Sequence, residues 1–484
     1  MKLNYKRTIL VGFAFFLISA FWQAYDTIIP LVLTNHYGLP QDLSGVIMSA
    51  DNILAVFMLP IFGALSDKIN SRYGKRTPFI VIGTVLAIIF FAVLFVVNSQ
   101  QLNAVLASEI PELRAAADAM LEQADKLGDS AMREAAMAEL ASIQEMTMEI
   151  TRNNMGTVIS FVVVLLCTLI AMATFRSPAV ALMPDVTVKP LRSKGNAIIN
   201  LMGAAGGIIV LAFGMIFKTS GRPYMDLSAY IFAICALMAV ALAIFIFTVK
   251  EKKWVSIMEE ETAKFGIEEN AEEAPTEKRK LSRPEFISLM LILASVALWY
   301  IGYNSITSKY SVYASNVLHF DYNATLIIAQ AAAIVSYIPV GMLASKIGRR
   351  RSILIGVAML ATAFLSATFI SSSTSPVFMY IVFVLAGIGW ATINVNSFPM
   401  VVELASGGDV GKYTGYYYTA SMSAQIVTPI LSGFLVERVF GWGIFFPYAA
   451  FFVACSFVTM YFVKFGDAKP ESKSALEALG GADD

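Results

Sequence analysis

Long apolar runs alternate with short polar segments along the whole chain. A helix needs about 20 mainly apolar residues to cross the hydrocarbon layer of a bilayer. Twelve runs reach that length, at roughly 9–34, 43–66, 77–98, 157–181, 196–217, 227–249, 285–308, 324–345, 351–371, 376–399, 412–434 and 443–464. The first run starts with basic residues but is too long for a signal peptide, so it counts as a membrane helix. The pattern predicts an all-α membrane protein with twelve transmembrane helices.

Three polar segments interrupt or follow these runs. Residues 100–153 have apolar positions at helical spacing on both sides of Gly128, with ten acids against four bases, and predict an extracytosolic helical hairpin that acts as a lid or spacer. Residues 250–283, rich in Glu and Lys, predict a cytoplasmic linker, and 466–484 a cytoplasmic tail. The expected domains are therefore 1–249 and 284–465, each a six-helix bundle.

Composition narrows the class of protein. Hydrophobic residues make up 57% of the chain, charged residues 14%, and the mean hydropathy is +0.68, which excludes a soluble domain of this length. The net charge is zero, so no nucleic-acid partner is expected. Cys167, Cys235 and Cys455 lie in apolar runs without metal-like spacing. The sequence has no nucleophile–base set, so neither an enzyme, a cofactor nor a metal site is predicted.

The distribution of Lys and Arg predicts the orientation. With both termini in the cytoplasm, 26 of the 35 basic residues fall on the cytoplasmic side and 7 in outer loops. Such an excess sets the topology of membrane proteins. Arg176 and Lys309 are left at membrane depth, and Lys309 could extend its amine to the outer surface. We therefore expect a multi-pass protein of the cytoplasmic membrane, and we expect it to be a monomer.

The stretch from Asp51 to Phe79 is the centre of an internal repeat. It begins as an apolar helix with one acid, Asp51, and ends in a basic turn. A weaker copy, GMLASKIGRRRSILIG, recurs 278 residues later with Gly341 in the place of Gly63. Glu403 follows Asp185 by 218 residues, and the shortfall of 60 is about the length of the hairpin. Two similar halves with an insertion in the first explain both spacings.

The turn from Gly63 to Arg76 reads G-x-L-S-D-x-x-x-x-R-x-G-K-R. It resembles the signature loop of the major facilitator superfamily. The continuation RYGKRTPFI and the run RSPAVALMPDVTVKPLRSKGNAIINLMGAAGG resemble the glycoside–pentoside–hexuronide:cation symporters, in particular their sucrose and disaccharide transporter branch. The resemblance implies the major facilitator fold and alternating-access symport of a disaccharide or related glycoside.

Charges in the basic turn can form a cytoplasmic gate. Asp67 can pair with Arg72 or Arg76, and Asp185 and Glu403 occupy matching cytoplasmic helix ends. Such pairs would hold the two halves together in the outward-open state and separate in the inward-open state. Ser345 replaces the Asp in the second copy, so the working acid is predicted in the first half. The alternative is that these charges only determine topology.

Charges inside the membrane are costly and usually line a cavity. Sugars bind by stacking on aromatic rings and by hydrogen bonds to amides, acids and Arg. The predicted substrate-binding residues supply that chemistry and are Trp22, Gln23, Asp26, Arg176, Tyr300, Asn304, Gln330, Trp390 and Asn394. Tyr303 and Asn396 offer similar groups. Each aromatic residue could instead serve only in packing.

Asp26 and Asp51 are the predicted proton-coupling residues. Substrate that arrives between one of these acids and Arg176 would change the acid's affinity for a proton. The sodium-coupled branch of the family has two acids four residues apart on helix 2, whereas here Ala55 follows Asp51. That branch also has an acid where this chain has Arg176. Both departures favour a proton over sodium. Sodium symport, export of another small molecule, and a sensor that binds without transport are the alternatives.

Overall fold

The protein is almost entirely helical. The computed structural model describes residues 3–69, 71–265, 281–404 and 410–466, and within these ranges it contains no β-strand. Residues 266–280 of the predicted linker and 467–484 of the predicted tail lie outside the described residues. An all-α architecture was expected from the apolar runs, and it is confirmed.

Sixteen α-helices are described. They are α1 Tyr5–Asn35, α2 Gln41–Lys68, α3 Thr77–Leu106, α4 Ile110–Leu127, α5 Ser130–Asn153, α6 Met155–Asp185, α7 Arg192–Phe217, α8 Ser228–Thr248, α9 Glu251–Lys264, α10 Arg283–Thr307, α11 Tyr310–Tyr313, α12 Tyr322–Ile347, α13 Arg349–Ala367, α14 Pro376–Val402, α15 Val410–Phe434 and α16 Phe445–Tyr461. A π-helical turn, Leu435–Phe440, and a 3-10 turn, Gly441–Ile444, join α15 to α16.

The long helices have the length and surface of membrane spans. Eleven helical stretches among the described residues are apolar and long enough to cross a bilayer, and the last, Lys412–Tyr461, contains both α15 and α16. The sequence predicts twelve because it counts these two helices separately. Large apolar side chains such as Phe57, Ile82 and Phe247 are exposed on the helix surfaces. Exposure on that scale suits contact with lipid rather than water.

We call α1, α2, α3, α6, α7 and α8 the first group of helices, and α10, α12, α13, α14, α15 and α16 the second. In the first group α1 packs on α7 and α8, α3 on α6 and α8, and α2 on α6. In the second group α10 packs on α15 and α16, α14 on α12 and α13, and α13 on α16. The groups meet mainly where α2 packs on α15 and α7 on α12.

The two ends of the helical bundle differ. We call the end that carries α4 and α5 the hairpin end, and the end that carries the turn Ser71–Arg76 the basic-loop end. At the hairpin end α2 and α15 touch backbone to backbone: a Cβ at Gly45 would overlap the carbonyl oxygen of Pro429, and one at Gly433 that of Gln41. The hairpin end is therefore closed by contact between the two groups.

Helix α3 extends beyond its predicted end at residue 98. It continues to Leu106 because its polar residues find partners in the hairpin region. Gln101 is fully buried and donates to Thr151 Oγ1 at 2.8 Å and to the His36 carbonyl at 3.1 Å. Helices α4 and α5 pack on each other and on the end of α3 through Val105, Ile110 and Ile143, which are buried.

Candidate functional site

Three charged residues of the first group lie near one another inside the spans. Asp26 is on α1, Asp51 on α2 and Arg176 on α6. Their charges act on one another, which places all three within electrostatic range. The Asp26 side chain is exposed although it lies within a membrane span, and Asp51 and Arg176 are half-buried. The arrangement gives the first group a polar wall with two acids and one base.

Trp22 forms the aromatic part of this wall. The guanidinium carbon of Arg176 lies 5.5 Å from the centre of the Trp22 ring, a distance at which a cation is attracted to the ring face. The indole Nε1 of Trp22 is buried and has no hydrogen-bond partner in the structure. An indole N–H without a partner is available to an oxygen of a bound molecule.

Two glutamine side chains connect the groups at this level. Gln330 Nε2 on α12 donates to Gln23 Oε1 on α1 at 2.5 Å, while Gln330 Oε1 is buried without a partner. Gly207 of α7 lies beside both amides. Because Gln23 and Gln330 come from different groups, this hydrogen bond would change whenever the groups move relative to each other.

The second group contributes an aromatic platform. Tyr303 of α10 stacks on Trp390 of α14 with ring centres 3.6 Å apart and planes within 4°. Tyr300 meets Trp390 edge to face at 5.4 Å. The charge of Asp26 acts on Tyr303, so this platform lies within electrostatic range of the acid wall of the first group.

Asn304 and Asn394 are the remaining predicted substrate residues. Asn304 Nδ2 donates to the Tyr300 carbonyl in its own helix at 2.8 Å. Asn394 is half-buried on α14. Asp51 Oδ1 accepts from Asn52 Nδ2 at 2.8 Å.

No cluster of three His, Cys, Asp or Glu residues able to hold a metal ion occurs in the described parts of the chain.

Four of the five predicted gate residues form ion pairs at the basic-loop end, in two separate sets. Arg76 lies between Asp67 at 2.5 Å and Asp185 at 2.8 Å, all in the first group. In the second group Glu403 pairs with Arg349. Arg72 has its guanidinium over the Tyr73 ring, at 4.5 Å. Each of these ion pairs joins helices of one group.

A buried acid that the sequence pattern did not reveal supports the basic turn. The Glu251 carboxylate, at the start of α9, accepts hydrogen bonds from the backbone N–H groups of Lys75, Arg76 and Thr77 and from the Thr77 hydroxyl. These groups form the N-terminus of α3, where the helix dipole favours a negative charge. A Cβ at Gly74 would overlap this carboxylate, so the glycine is required there.

Lys309 lies at the hairpin end and does not extend to the surface. It is 2% exposed and its amine donates to the Gln41 carbonyl of α2 at 3.1 Å. Glu437 accepts from the Gln41 backbone N–H at 2.8 Å, and Arg438 pairs with Asp42 at 3.0 Å. The burial follows from the contact of α2 with the second group, which covers the amine.

Tyr418 and Glu251 are candidate residues that sequence reasoning missed. Tyr418, on α15, interacts electrostatically with Arg176. The run Tyr416–Tyr418 is a local signal that could have drawn attention to α15. Glu251 gives no such signal, because its partners are about 175 residues away in sequence.

Family models match most of the chain. The Major Facilitator Superfamily model matches residues 150–424 and 326–481. The chain belongs to the Major Facilitator Superfamily. A second model, described as MFS/sugar transport protein, matches residues 10–108. The superfamily consists of membrane transporters, so the chain is a transporter-family protein and not an enzyme. No curated protein matches the chain.

Solved structures share the fold at low sequence identity. The inward-open xylose transporter XylE from E. coli has a TM-score of 0.62 at 14% identity, with 98% of this chain and 99% of that chain covered. A D-xylose-proton symporter has a TM-score of 0.61 at 14% identity, with 96% and 99% covered. The nucleoside transporter NupG has a TM-score of 0.52 at 14% identity, with 96% and 100% covered. These similarities establish the major facilitator fold of this multi-pass membrane protein.

Proposed function

We propose that the protein is a secondary transporter that carries a disaccharide or related glycoside across the cytoplasmic membrane together with a proton. The observation that carries the proposal is the juxtaposition of the Asp26–Asp51–Arg176 wall with the Tyr303–Trp390 platform. Charges at membrane depth are expensive and are kept where they serve binding or coupling. The site lies between the two six-helix groups, where transporters of this architecture place their substrates.

Sugar chemistry suits the groups at this interface. A pyranose ring has an apolar face that stacks on aromatic rings and a rim of hydroxyls that both donate and accept. The Trp390 and Trp22 rings supply faces, while Asp26, Arg176 and the free Gln330 Oε1 supply partners for hydroxyls. The sugar-transport family model and the xylose-transporter neighbours support the same class of substrate.

Coupling to a proton follows from the two acids that share one base. A carboxylate near a guanidinium holds its negative charge, and it gains affinity for a proton when that guanidinium turns to another partner. Substrate hydroxyls that engage Arg176 would weaken its hold on Asp26 or Asp51. The acid would then bind a proton with the substrate and release it when the substrate leaves.

Alternating access would use the two ends of the bundle in turn. The excess of Lys and Arg at the basic-loop end supports a cytoplasmic location for that end and for both termini. With the hairpin end closed, the structure would then represent an inward-facing state. Asp67, Arg72, Arg76, Asp185 and Glu403 would form the cytoplasmic gate by exchanging their pairs within each group for pairs between groups.

The assignment to one family of symporters within the superfamily rests on the sequence. The loop from Gly63 to Arg76 and its continuation to Ile80 support the glycoside–pentoside–hexuronide symporters and their disaccharide branch. We further propose that residues 1–249 and 284–465 move as two bundles, joined by the linker 250–283, in a transporter that works as a monomer.

Counterflow in proteoliposomes tests this function. Vesicles loaded with an unlabelled sugar take up the same labelled sugar without an energy source if a carrier is present. A panel of sucrose, maltose, lactose, trehalose and xylose should give counterflow with at least one disaccharide, and Arg176→Gln should abolish it. Arg152→Gln, at an exposed position of α5, serves as the control. Binding without counterflow would indicate a sensor, and counterflow only with other solutes would reject a sugar carrier.

A further inference from the structure

A cavity lies at the hairpin end, separate from the proposed transport site. Its volume is about 540 Å³, and it lies between the hairpin helices α4 and α5 and the ends of both six-helix groups. We call it the hairpin chamber; its walls include Asn35, Gln41, Gln144, Asn316, Glu437 and Trp442. None of the predicted substrate-binding residues lines it. The volume is within the range of pockets that enclose small molecules.

The charged side chains around the chamber already have partners. Asp125 lies 3.6 Å from Arg133, and Arg114 contacts both carboxylate oxygens of Asp118 at 3.0 Å. Glu437 accepts two hydrogen bonds. A charged ligand would have to displace one of these pairs and leave its partner unmatched, which is costly in a partly buried site. A neutral ligand avoids that cost.

Two residues that line the chamber, Gln41 and Asn316, each carry a buried side-chain oxygen without a hydrogen-bond donor. Gln41 is 3% exposed, and its Nε2 is bound to Thr34 at 3.0 Å, which leaves Oε1 without a partner. Asn316 Nδ2 donates to Asn35 Oδ1 at 2.7 Å, and Asn316 Oδ1 is likewise buried and unpaired. Buried acceptors without donors are destabilising unless a ligand or water satisfies them.

Aromatic rings form another part of the wall. Trp442 and Tyr313 both line the chamber, with ring centres 5.6 Å apart. An aromatic surface beside free carbonyl oxygens suits a molecule that has an apolar ring face and hydroxyl donors. Neutral charge, hydroxyl donors and a stackable ring are together the properties of a sugar or similar cyclic polyol.

We propose that the hairpin chamber is a second binding site for a neutral polyhydroxylated ring molecule, occupied while the hairpin end is closed. The site depends on closure because its walls come from α4, α5 and both groups: Asp125 of α4 accepts from Ser372, and Gln144 of α5 donates to Glu437 at 3.5 Å. A ligand in the chamber would therefore stabilise the closed hairpin end. The proposal relies on the proposed function only for the choice of sugars as probes.

Protection of an engineered cysteine tests the site. Met137 lines the chamber and is 42% exposed, whereas Met146, 37% exposed on the same helix, lies outside the lining. The full chain with its three native cysteines replaced and with Met137→Cys or Met146→Cys is placed in nanodiscs and labelled with a hydrophilic maleimide. Sucrose or maltose at 100 mM is compared with potassium chloride of equal osmolarity. We expect at least one sugar to slow labelling at position 137 threefold or more and to leave position 146 unchanged.

The same measurement in an Arg176→Gln background separates the two proposals. Protection at position 137 should persist there, because the chamber does not include the transport site. If position 137 is protected but no variant shows counterflow, the chamber proposal stands and the proposed carrier function is rejected. The chamber proposal is overturned if neither sugar slows labelling at position 137, if positions 137 and 146 slow equally, or if Arg176→Gln removes the protection.

Discussion

The close contact of α2 with α15 makes a sharp prediction about conformational balance. Gly433 packs against the Gln41 backbone, and a Cβ at that position would overlap the Gln41 carbonyl oxygen. Gly415 lies in the same helix, and a Cβ there would meet no atom within 4 Å. Gly433→Ala should therefore disfavour closure of the hairpin end, and Gly415→Ala should leave it unchanged.

The magnitude follows from overpacking. Forcing an extra carbon into a close-packed contact costs about 1–3 kcal/mol. The gain in helix propensity from Gly to Ala, about 1 kcal/mol, is the same in the open and closed states and cancels from their ratio. The overlap exists only when the hairpin end is closed, so the ratio of closed to open molecules should fall by about 5- to 150-fold.

Distances between spin labels measure this ratio directly. Leu106 at the end of α3 and Phe369 beyond α13 are exposed, belong to different groups, and can each be replaced by cysteine for labelling after removal of the three native cysteines. Double electron–electron resonance should show a new longer distance in Gly433→Ala, while Gly415→Ala keeps the parent distribution. Identical distributions in the two variants would refute the closure by α2 and α15.

Three further predictions concern other parts of the structure. Glu251→Gln should lower the apparent melting temperature, because hydrogen bonds to a charged group contribute about 1.5–3 kcal/mol each. Glu259 is exposed on the same helix, and Glu259→Gln should leave the melting temperature unchanged. Burial lowers the pKa of His36 to about 4, so the histidine of the unfolded chain binds a proton at a higher pH than that of the folded chain. The stability of the folded protein should therefore fall as the pH drops from about 6.5 to 4, and melting curves of His36→Gln should lose that dependence. Asp185→Asn should raise the rate of hydrogen exchange at the start of α3, because Arg76 loses an ionic partner, and an unchanged rate would contradict the role of that pair.

Hydropathy was sufficient to predict the membrane-spanning helices. A membrane span must be apolar along most of its length, so runs such as 77–98 identify helices without knowledge of their neighbours. The same rule misplaced the end of α3. Asn98 and Gln101 indicate a loop when only local polarity is considered, yet both are buried and bonded to His36 and Thr151.

Long-range contacts could not be read from local patterns. The charges Asp26, Asp51 and Arg176 stood out because single charged residues in apolar runs are rare, and the structure brings them together. Glu251 is one of several acids in a polar segment, and only the fold reveals that it holds the start of α3. The hairpin chamber is likewise built from three regions far apart in sequence.

Proton-driven accumulation is the central claim, and transport into proteoliposomes with a controlled pH step tests it. A disaccharide identified by counterflow should accumulate when the outside is made acidic, equally with and without sodium. Asp26→Asn should retain counterflow but lose accumulation, because the carrier would still move substrate without exchanging a proton. Accumulation that requires sodium and ignores the pH step would contradict the account.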